Sequence, residues 1–204
     1  MATWTKKRFG GHPVTESPPG ENLELLQASL SGSVILALDV SGSMYGERLA
    51  EAKTGCARFI DEAVEDGYSV GMLLWDHDVV GRSPLERSPR SARELLDSAQ
   101  VRGNNDIVPC LAEAHKMLME RPAGDRVLAI FGDGDLGPVD AAKRAASLLT
   151  VDGIRIITCG LGMASAEMLA VISDERDSKA RVADSGGIAD AIAGMTSGLI
   201  RRVR

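Results

Sequence analysis

Residues 33–40 read SVILALDV, an almost continuous apolar run that carries a single acid, Asp39, near its end. Runs of this kind are typical of strands buried on both faces, as in parallel sheets. Residues 41–43, Ser-Gly-Ser, follow at once and place two hydroxyls at alternate positions after Asp39. The stretch therefore predicts a central strand that ends in a loop rich in oxygen donors.

The rest of the chain alternates between helix-like and strand-like segments. Residues 47–65, for example, place Leu49, Cys56 and Phe59 on one face of a helix that Gly67 ends. Strands that alternate with helices predict an α/β fold, a doubly wound and mostly parallel sheet with helices on both faces. The predicted strands are 33–40, 68–75, 79–80, 126–131, 154–159 and 180–183, and the predicted helices are 47–65, 89–100, 107–120, 138–150, 165–173 and 187–202.

Length, composition and charge limit the organisation and the partners of the chain. Its 204 residues are 44% hydrophobic and 25% charged, as in ordinary globular proteins. We predict a partly irregular N-terminal arm over residues 1–30 and a single domain over 31–204. A net charge of −6 and only 3% aromatic residues argue against binding of nucleic acid. No apolar run is long enough to cross a membrane, and three scattered cysteines predict a reducing compartment, the cytoplasm.

Two further polar loops flank predicted elements. Residues 132–135, GDGD, follow the strand at 126–131, and residues 102–107, RGNNDI, precede a helix. In doubly wound sheets, ligands bind beyond the carboxyl ends of the strands, where the strand order reverses. If the order reverses between the first strand and 126–131, the loops at 39–43 and 132–135 open on one crevice. Their hard oxygen donors suit Mg²⁺, although helix capping and simple turns are alternative interpretations.

Three short motifs resemble those of one known family. DVSGSM at 39–44 resembles the DxSxS signature of von Willebrand factor type A domains, and GDG at 132–134 resembles the second acidic loop of that family. GNNDI at 103–107 falls where the family usually has a Gly-Gly-Thr-Asp-Ile-like loop. The resemblance covers roughly residues 30–202. It implies a doubly wound sheet of about six strands, with one short antiparallel edge strand.

The resemblance also implies a metal-ion-dependent adhesion site that holds one divalent cation per chain, Mg²⁺ or else Mn²⁺ or Ca²⁺. The serines of such a site bind the metal directly, the aspartates often bind through water, and a carboxylate of a partner protein takes the last coordination place. On this sequence the implied ligands are Asp39, Ser41, Ser43, Asn105 and Asp133.

The sequence departs from the family pattern in the third loop and before the second acid. Asn105, or Asn104 if the loop is shifted by one, stands where the family has threonine. Asp106 matches the acid that often follows the threonine, and it can instead orient the site. Gly132 stands where threonine or serine is common.

We therefore predict a protein that is not an enzyme but a metal-dependent protein–protein interaction module. Its partner protein offers an aspartate or glutamate side chain. By resemblance, that partner is an ATPase or part of a larger protein assembly. One alternative is a Mg²⁺-dependent phosphohydrolase. Such enzymes carry a second aspartate two residues after the nucleophile, however, and here that position is Ser41. The other alternative is a structural subunit with a degenerate metal site. The asparagine at position 105, where the family has threonine, supports this alternative.

Two other segments carry expectations. Asp76-His77-Asp78 is predicted to be a polar turn at the sheet edge rather than a metal site. The final helix contains Gly194 and Gly198, and each glycine costs a helix about 1 kcal/mol relative to alanine. The helix is therefore expected to be weakly anchored, and by resemblance to adhesive members it would slide when a partner binds.

Overall fold

The computed structural model describes residues 32–122, 124–174, 181–184 and 187–199. Its centre is a six-stranded sheet of order β3-β2-β1-β4-β5-β6. Only β3 runs antiparallel to its neighbour, and the other adjacent strands are parallel. This confirms the predicted doubly wound, mostly parallel fold. The strands are β1 (Ser33–Asp39), β2 (Ser69–Trp75), β3 (Val79–Arg82), β4 (Arg126–Gly132), β5 (Ile154–Leu161) and β6 (Arg181–Ala183).

Six α-helices flank the sheet in the described part of the chain. They are α1 (Glu47–Glu65), α2 (Arg90–Ser98), α3 (Val108–Met119), α4 (Val139–Val151), α5 (Met163–Ala170) and α6 (Ile188–Ala193). None of these helices is both long and apolar enough to cross a membrane. The predicted N-terminal arm, 1–30, lies outside the described residues. The arm and the single domain over 31–204 therefore stay predictions.

The alternation of side chains along β1 divides the core into two layers. Val34, Leu36 and Leu38 pack with apolar residues of α1, α2 and α6. Ile35 and Ala37 face the other side of the sheet and pack with residues of α3, α4 and α5. All five side chains are fully buried. The apolar run of the first strand is therefore continuous because helices cover both of its faces.

The strand order reverses between β1 and β4. From β1 the chain continues to β2 on one side, whereas β4 pairs with β1 on the other side. Asp39 is the last residue of β1, and Asp133 directly follows the last residue of β4. The two acidic loops therefore open on the same edge of the sheet, at the position where doubly wound folds bind ligands.

The last described segment differs from the single long helix that the sequence predicts. The α-helix ends at Ala193 and continues as a 3₁₀-helix over Gly194–Gly198. Two glycines in five residues favour this change, because glycine is a poor α-helix former. The helix α6 packs closely on α1, since a β-carbon at Gly55 would lie 2.7 Å from the carbonyl oxygen of Ala189.

Three polar side chains hold this segment at the amino edge of the sheet. We call Tyr68, Asp125 and Arg155 the amino-edge clamp. The Tyr68 hydroxyl oxygen lies 2.7 Å from Asp125 Oδ2 and 2.7 Å from the carbonyl oxygen of Leu199, so its one proton is shared between these two acceptors. Arg155 pairs with Asp125 and donates to the carbonyls of Gly198 and Leu199, at 2.7 and 3.0 Å. The described end of the final segment thus has contacts that the sequence does not predict, and the weak anchoring of the final helix stays a prediction.

The three cysteines are free and buried in the core. Burial raises the pKa of each thiol, that of Cys159 to about 12. Thiols in such surroundings stay protonated near neutral pH and pack as small apolar groups.

Candidate metal site

The loop after β1 brings one carboxylate and two hydroxyls together. The backbone N–H of Ser41 donates to Asp39 Oδ1 at 2.8 Å, which turns the chain sharply at the end of the strand. The Ser41 and Ser43 hydroxyl oxygens lie 3.0 Å apart. Asp39 and Ser41 are fully buried, whereas Ser43 is exposed. Met44 is buried in the core and holds the 3₁₀-helix Gly42–Met44 in place.

The other two predicted ligands reach the same point from separate loops. The side-chain amide nitrogen of Asn105 lies 3.3 Å from Asp39 Oδ2 and 3.2 Å from Asp133 Oδ1. The backbone N–H of Asp133 also donates to Asp39 Oδ2, at 3.3 Å. All five predicted residues therefore meet in one cluster, and the Asn105 amide bridges its two carboxylates.

The structure separates the roles of the three polar residues in the third loop. Asn105 contacts both carboxylates of the cluster, whereas Asn104 is exposed. Asp106 Oδ1 accepts the backbone N–H of Val108, the first residue of α3, at 3.0 Å. Asn105 is therefore the residue of this loop that lies at the cluster, while the Asp106 side chain accepts from the first residue of α3.

The glycine before Asp133 is explained by its neighbours. A β-carbon at Gly132 would lie 3.0 Å from Asp39 Oδ2 and 3.4 Å from Cζ2 of Trp75. Trp75 is the last residue of β2, is buried, and lies beside Asp39 in the sheet register. Its large indole ring occupies space beside position 132. The β-carbon of a threonine or serine there would press against Asp39, whereas its contact with the ring would be an ordinary van der Waals contact.

One residue that supports the site was not assigned a role from the sequence. Asp76 is buried, and its Oδ1 accepts the Asp78 backbone N–H and lies 3.0 Å from His77 Nδ1. Its carbonyl accepts the backbone N–H of Asp106 at 2.9 Å, which ties the third loop to β2. The segment 76–78 is thus the predicted polar turn, and it also positions the loop that carries Asn105. The signal in the sequence was an acid directly after a buried strand, which the structure shows to be the neighbour of β1.

The electrostatics of the cluster are dominated by the burial of Asp39. Burial raises the pKa of this carboxyl to about 7, the hydrogen bonds from Ser41 act against the rise, and the charge of Asp133 adds to it. Two carboxylates that share one Asn105 amide repel each other, so a positive charge between them would favour their ionised forms.

The donor set of the cluster fits a hard divalent cation. In an octahedral Mg²⁺ site with bonds of about 2.0–2.1 Å, adjacent ligand oxygens lie about 2.8–3.0 Å apart. The 3.0 Å between the Ser41 and Ser43 hydroxyls matches that spacing. Among the described residues, no three His, Cys, Asp or Glu side chains form a metal cluster. The candidate site is of a different kind, because only two of its five side chains are acidic.

Comparison with known proteins agrees with the fold. The sequence profile described as "von Willebrand factor type A domain" matches residues 34–135, half of the chain. Calcium-activated chloride channel regulator 1 of Mus musculus is 28% identical over 197 residues, which are 91% of this chain and 21% of that protein. The chain thus spans about a fifth of the length of the curated relatives it matches.

Solved structures show the same fold. The vWF domain of the type V pili tip protein Mfa5 from Porphyromonas gingivalis has a TM-score of 0.73 and 12% identity, with 86% of this chain and 98% of that one covered. A von Willebrand factor type A structure from Catenulispora acidiphila has a TM-score of 0.65 and 21% identity, over 84% and 43% of the two chains. The profile match, the doubly wound sheet and the loops at its switch point lead to one conclusion: the chain belongs to the von Willebrand factor type A domain family.

Proposed function

We propose that the chain is a metal-dependent protein-binding module whose cation is held by Asp39, Ser41, Ser43, Asn105 and Asp133. The observation that carries the proposal is the convergence of these five side chains from three separate loops. Domains of this family commonly mediate protein–protein or adhesion interactions. The similarity to a pilus tip domain supports an interaction role for this chain as well.

The burial of the cluster supports binding from one side. Asp39 and Ser41 form the buried floor, whereas Ser43 is exposed and Asp133 is half-buried. The two serine hydroxyls and the Asn105 amide would supply neutral oxygens, and the two aspartates would supply negative charge. The bound cation would supply a positive centre that an aspartate or glutamate of a partner protein can ligate.

Asn105 must change its orientation to serve as a ligand. In the structure its amide nitrogen faces the two carboxylates. A cation would repel the N–H groups, so we infer that the amide turns over and presents its oxygen. This rotation leaves the backbone of the third loop in place, because the loop is tied to Asp76 through the Asp106 N–H.

A binding module accounts for the cluster better than a phosphohydrolase does. Such an enzyme needs a second aspartate two residues after Asp39. That position is Ser41, whose hydroxyl contacts the hydroxyl of Ser43. His77 lies on the neighbouring turn and pairs with Asp76. We therefore expect the protein to hydrolyse an aryl phosphate in Mg²⁺ no faster than its Asp39→Asn variant does. Faster Mg²⁺-dependent hydrolysis by the unaltered protein would favour the enzyme instead.

The direct test is titration of the metal-stripped protein with Mg²⁺, Mn²⁺ and Ca²⁺. We expect one ion per chain by calorimetry, and a higher melting temperature because the folded state alone binds the ion. At a cation concentration 100 times Kd the stabilisation is about 2.7 kcal/mol, which corresponds to a rise of about 5–10 °C for a chain of this size. EDTA should reverse the rise. If none of the three ions gives binding heat or a shift in melting, the proposal is wrong.

Variants at Asn105 test its assignment as a ligand. Asn105→Ala is expected to weaken Mg²⁺ binding about tenfold, because it removes one oxygen donor. Asn105→Thr is expected to keep most of the affinity, since a hydroxyl is also a hard oxygen donor. Calorimetry on the three proteins measures both effects, and Asn104→Ala is the matched control on the exposed neighbour. If Asn105→Ala binds Mg²⁺ as tightly as the unaltered protein, or more tightly, Asn105 is not a ligand.

A further inference from the structure

An exposed aromatic side chain stands beside the candidate metal site. Tyr45 is 81% exposed and follows Ser43 by two residues. Its neighbour Met44 is fully buried, so the backbone under Tyr45 is fixed to the core. Exposed tyrosines on a fixed backbone are common anchors in protein interfaces, because they bury a large area at a low entropic cost.

Two arginines flank the same side of the site. Arg48 is exposed, and its Nη1 donates to the carbonyl of Ser43 at 3.0 Å. Arg102 is also exposed, and its backbone N–H donates to the carbonyl of Val40 at 2.7 Å. Both guanidinium-bearing residues are thus attached to the loop that holds the serines. We call Tyr45, Arg48 and Arg102 the Tyr45 face.

The opposite side of the site has a different character. A β-carbon at Gly134 would lie 2.6 Å from the α-carbon of Ser165, so the start of α5 packs directly against the Asp133 loop. That side exposes Asp135 and Met163. The Tyr45 face thus has two exposed arginines and one exposed acid, Glu47, which lies between Tyr45 and Arg48 in the chain, whereas the exposed charge of Asp135 next to Asp133 is negative.

We propose that the Tyr45 face binds an acidic peptide segment of a partner protein, and that this inference rests on the proposed metal-dependent function. One carboxylate of the segment ligates the cation. An adjacent apolar or aromatic side chain packs on Tyr45, and a second acidic side chain pairs with Arg48 and Arg102. The asymmetry of charge fixes the direction of the segment, because its second acid is attracted to the arginines and repelled by Asp135.

The test uses synthetic nine-residue peptides with a central aspartate or glutamate. Their flanking residues are apolar plus acidic, apolar only, acidic only, neutral polar, or basic. Binding is measured by fluorescence anisotropy in Mg²⁺ and in EDTA. The apolar-plus-acidic peptides are expected to bind at least about fivefold more tightly than the neutral polar peptides. Tyr45→Ser and Arg102→Ala are each expected to remove most of this preference without changing the calorimetric affinity for Mg²⁺, because Arg102 is attached to Val40 through its backbone and not its side chain.

Val151→Ser is the matched control, because Val151 is 82% exposed but lies at the far end of α4. The proposal for the Tyr45 face is wrong if all peptide classes bind equally or if no class binds. It is also wrong if the preference survives Tyr45→Ser. With Mg²⁺ bound by calorimetry, such a result leaves the proposed function standing. A flank preference that depends on Tyr45 but persists in EDTA supports the Tyr45 face and overturns the metal dependence.

Discussion

Asp39→Asn is expected to weaken Mg²⁺ binding about 100-fold, and with it the gain in melting temperature, while the protein remains folded. The substitution keeps the size of the side chain, and the remaining oxygen can still accept the Ser41 N–H. It replaces Oδ2, which accepts from Asn105 and from the Asp133 backbone, with an amide that faces those donors. In the metal-free protein the loss of these bonds is partly offset, because the variant also removes the buried charge that Asp133 repels.

The matched control for this variant is Asp135→Asn. Asp135 lies two residues from Asp133 but is exposed, and its Oδ1 accepts the Gly137 backbone N–H. An asparagine can accept the same bond, so this variant should bind Mg²⁺ like the unaltered protein. Calorimetry and thermal melting on both variants compare the loss of a charge inside the cluster with the loss of a charge beside it, by their effects on Mg²⁺ affinity and melting temperature. If the two variants lose affinity equally, the effect reflects general charge and not ligation by Asp39.

Asp125→Ala should be the most destabilising of the variants considered, because it leaves Arg155 without its carboxylate partner. Removing one partner of a fully buried ion pair costs about 3–5 kcal/mol. The side chains of Arg155 and Asp125 are 22% and 17% exposed, so we expect a smaller loss, about 2–3 kcal/mol by urea unfolding. Amide hydrogen exchange should accelerate most over residues 194–199, since the clamp then holds Gly198 and Leu199 less firmly.

Asp190→Ala provides the comparison within the same segment of the chain. Asp190 lies on α6 and pairs with Arg58, but both side chains are largely exposed. Exposed pairs contribute little, so the loss should stay below about 1 kcal/mol. If Asp125→Ala is no more destabilising than Asp190→Ala, the amino-edge clamp does not stabilise the fold.

Much of the fold could be predicted from local sequence patterns. Residues 47–65 form a helix with the predicted bounds because its apolar face and Gly67 are signals that lie within the segment itself. The continuous apolar run of β1 likewise indicated a strand covered on both sides. The candidate site could be predicted for a related reason. Parallel strands place the residues that follow them at one edge of the sheet, so a parallel topology is enough to predict that Asp39 and Asp133 lie near each other.

Other features depend on contacts that no local pattern encodes. Tyr68 and Asp125 directly precede β2 and β4, and Arg155 lies in β5, so their contact could not be inferred from sequence spacing. The close space around Gly132 is set by Asp39 on another strand, whose Oδ2 would lie 3.0 Å from a β-carbon there. The orientation of the Asn105 amide is set by two carboxylates that are 66 and 28 residues away. In each case the deciding neighbour is distant in the chain.

The amino-edge clamp also determines how the domain would carry a mechanical load. The candidate site lies at the carboxyl edge of β1, and the clamp grips the backbone at Leu199 at the opposite edge. A pull between these two points runs along the strands, so the hydrogen bonds between β1 and its neighbours are sheared together. Seven residues of β1 pair with β2 and six pair with β4, so many bonds share the tension. A domain loaded in this direction resists extension better than one whose strands are peeled apart one bond at a time.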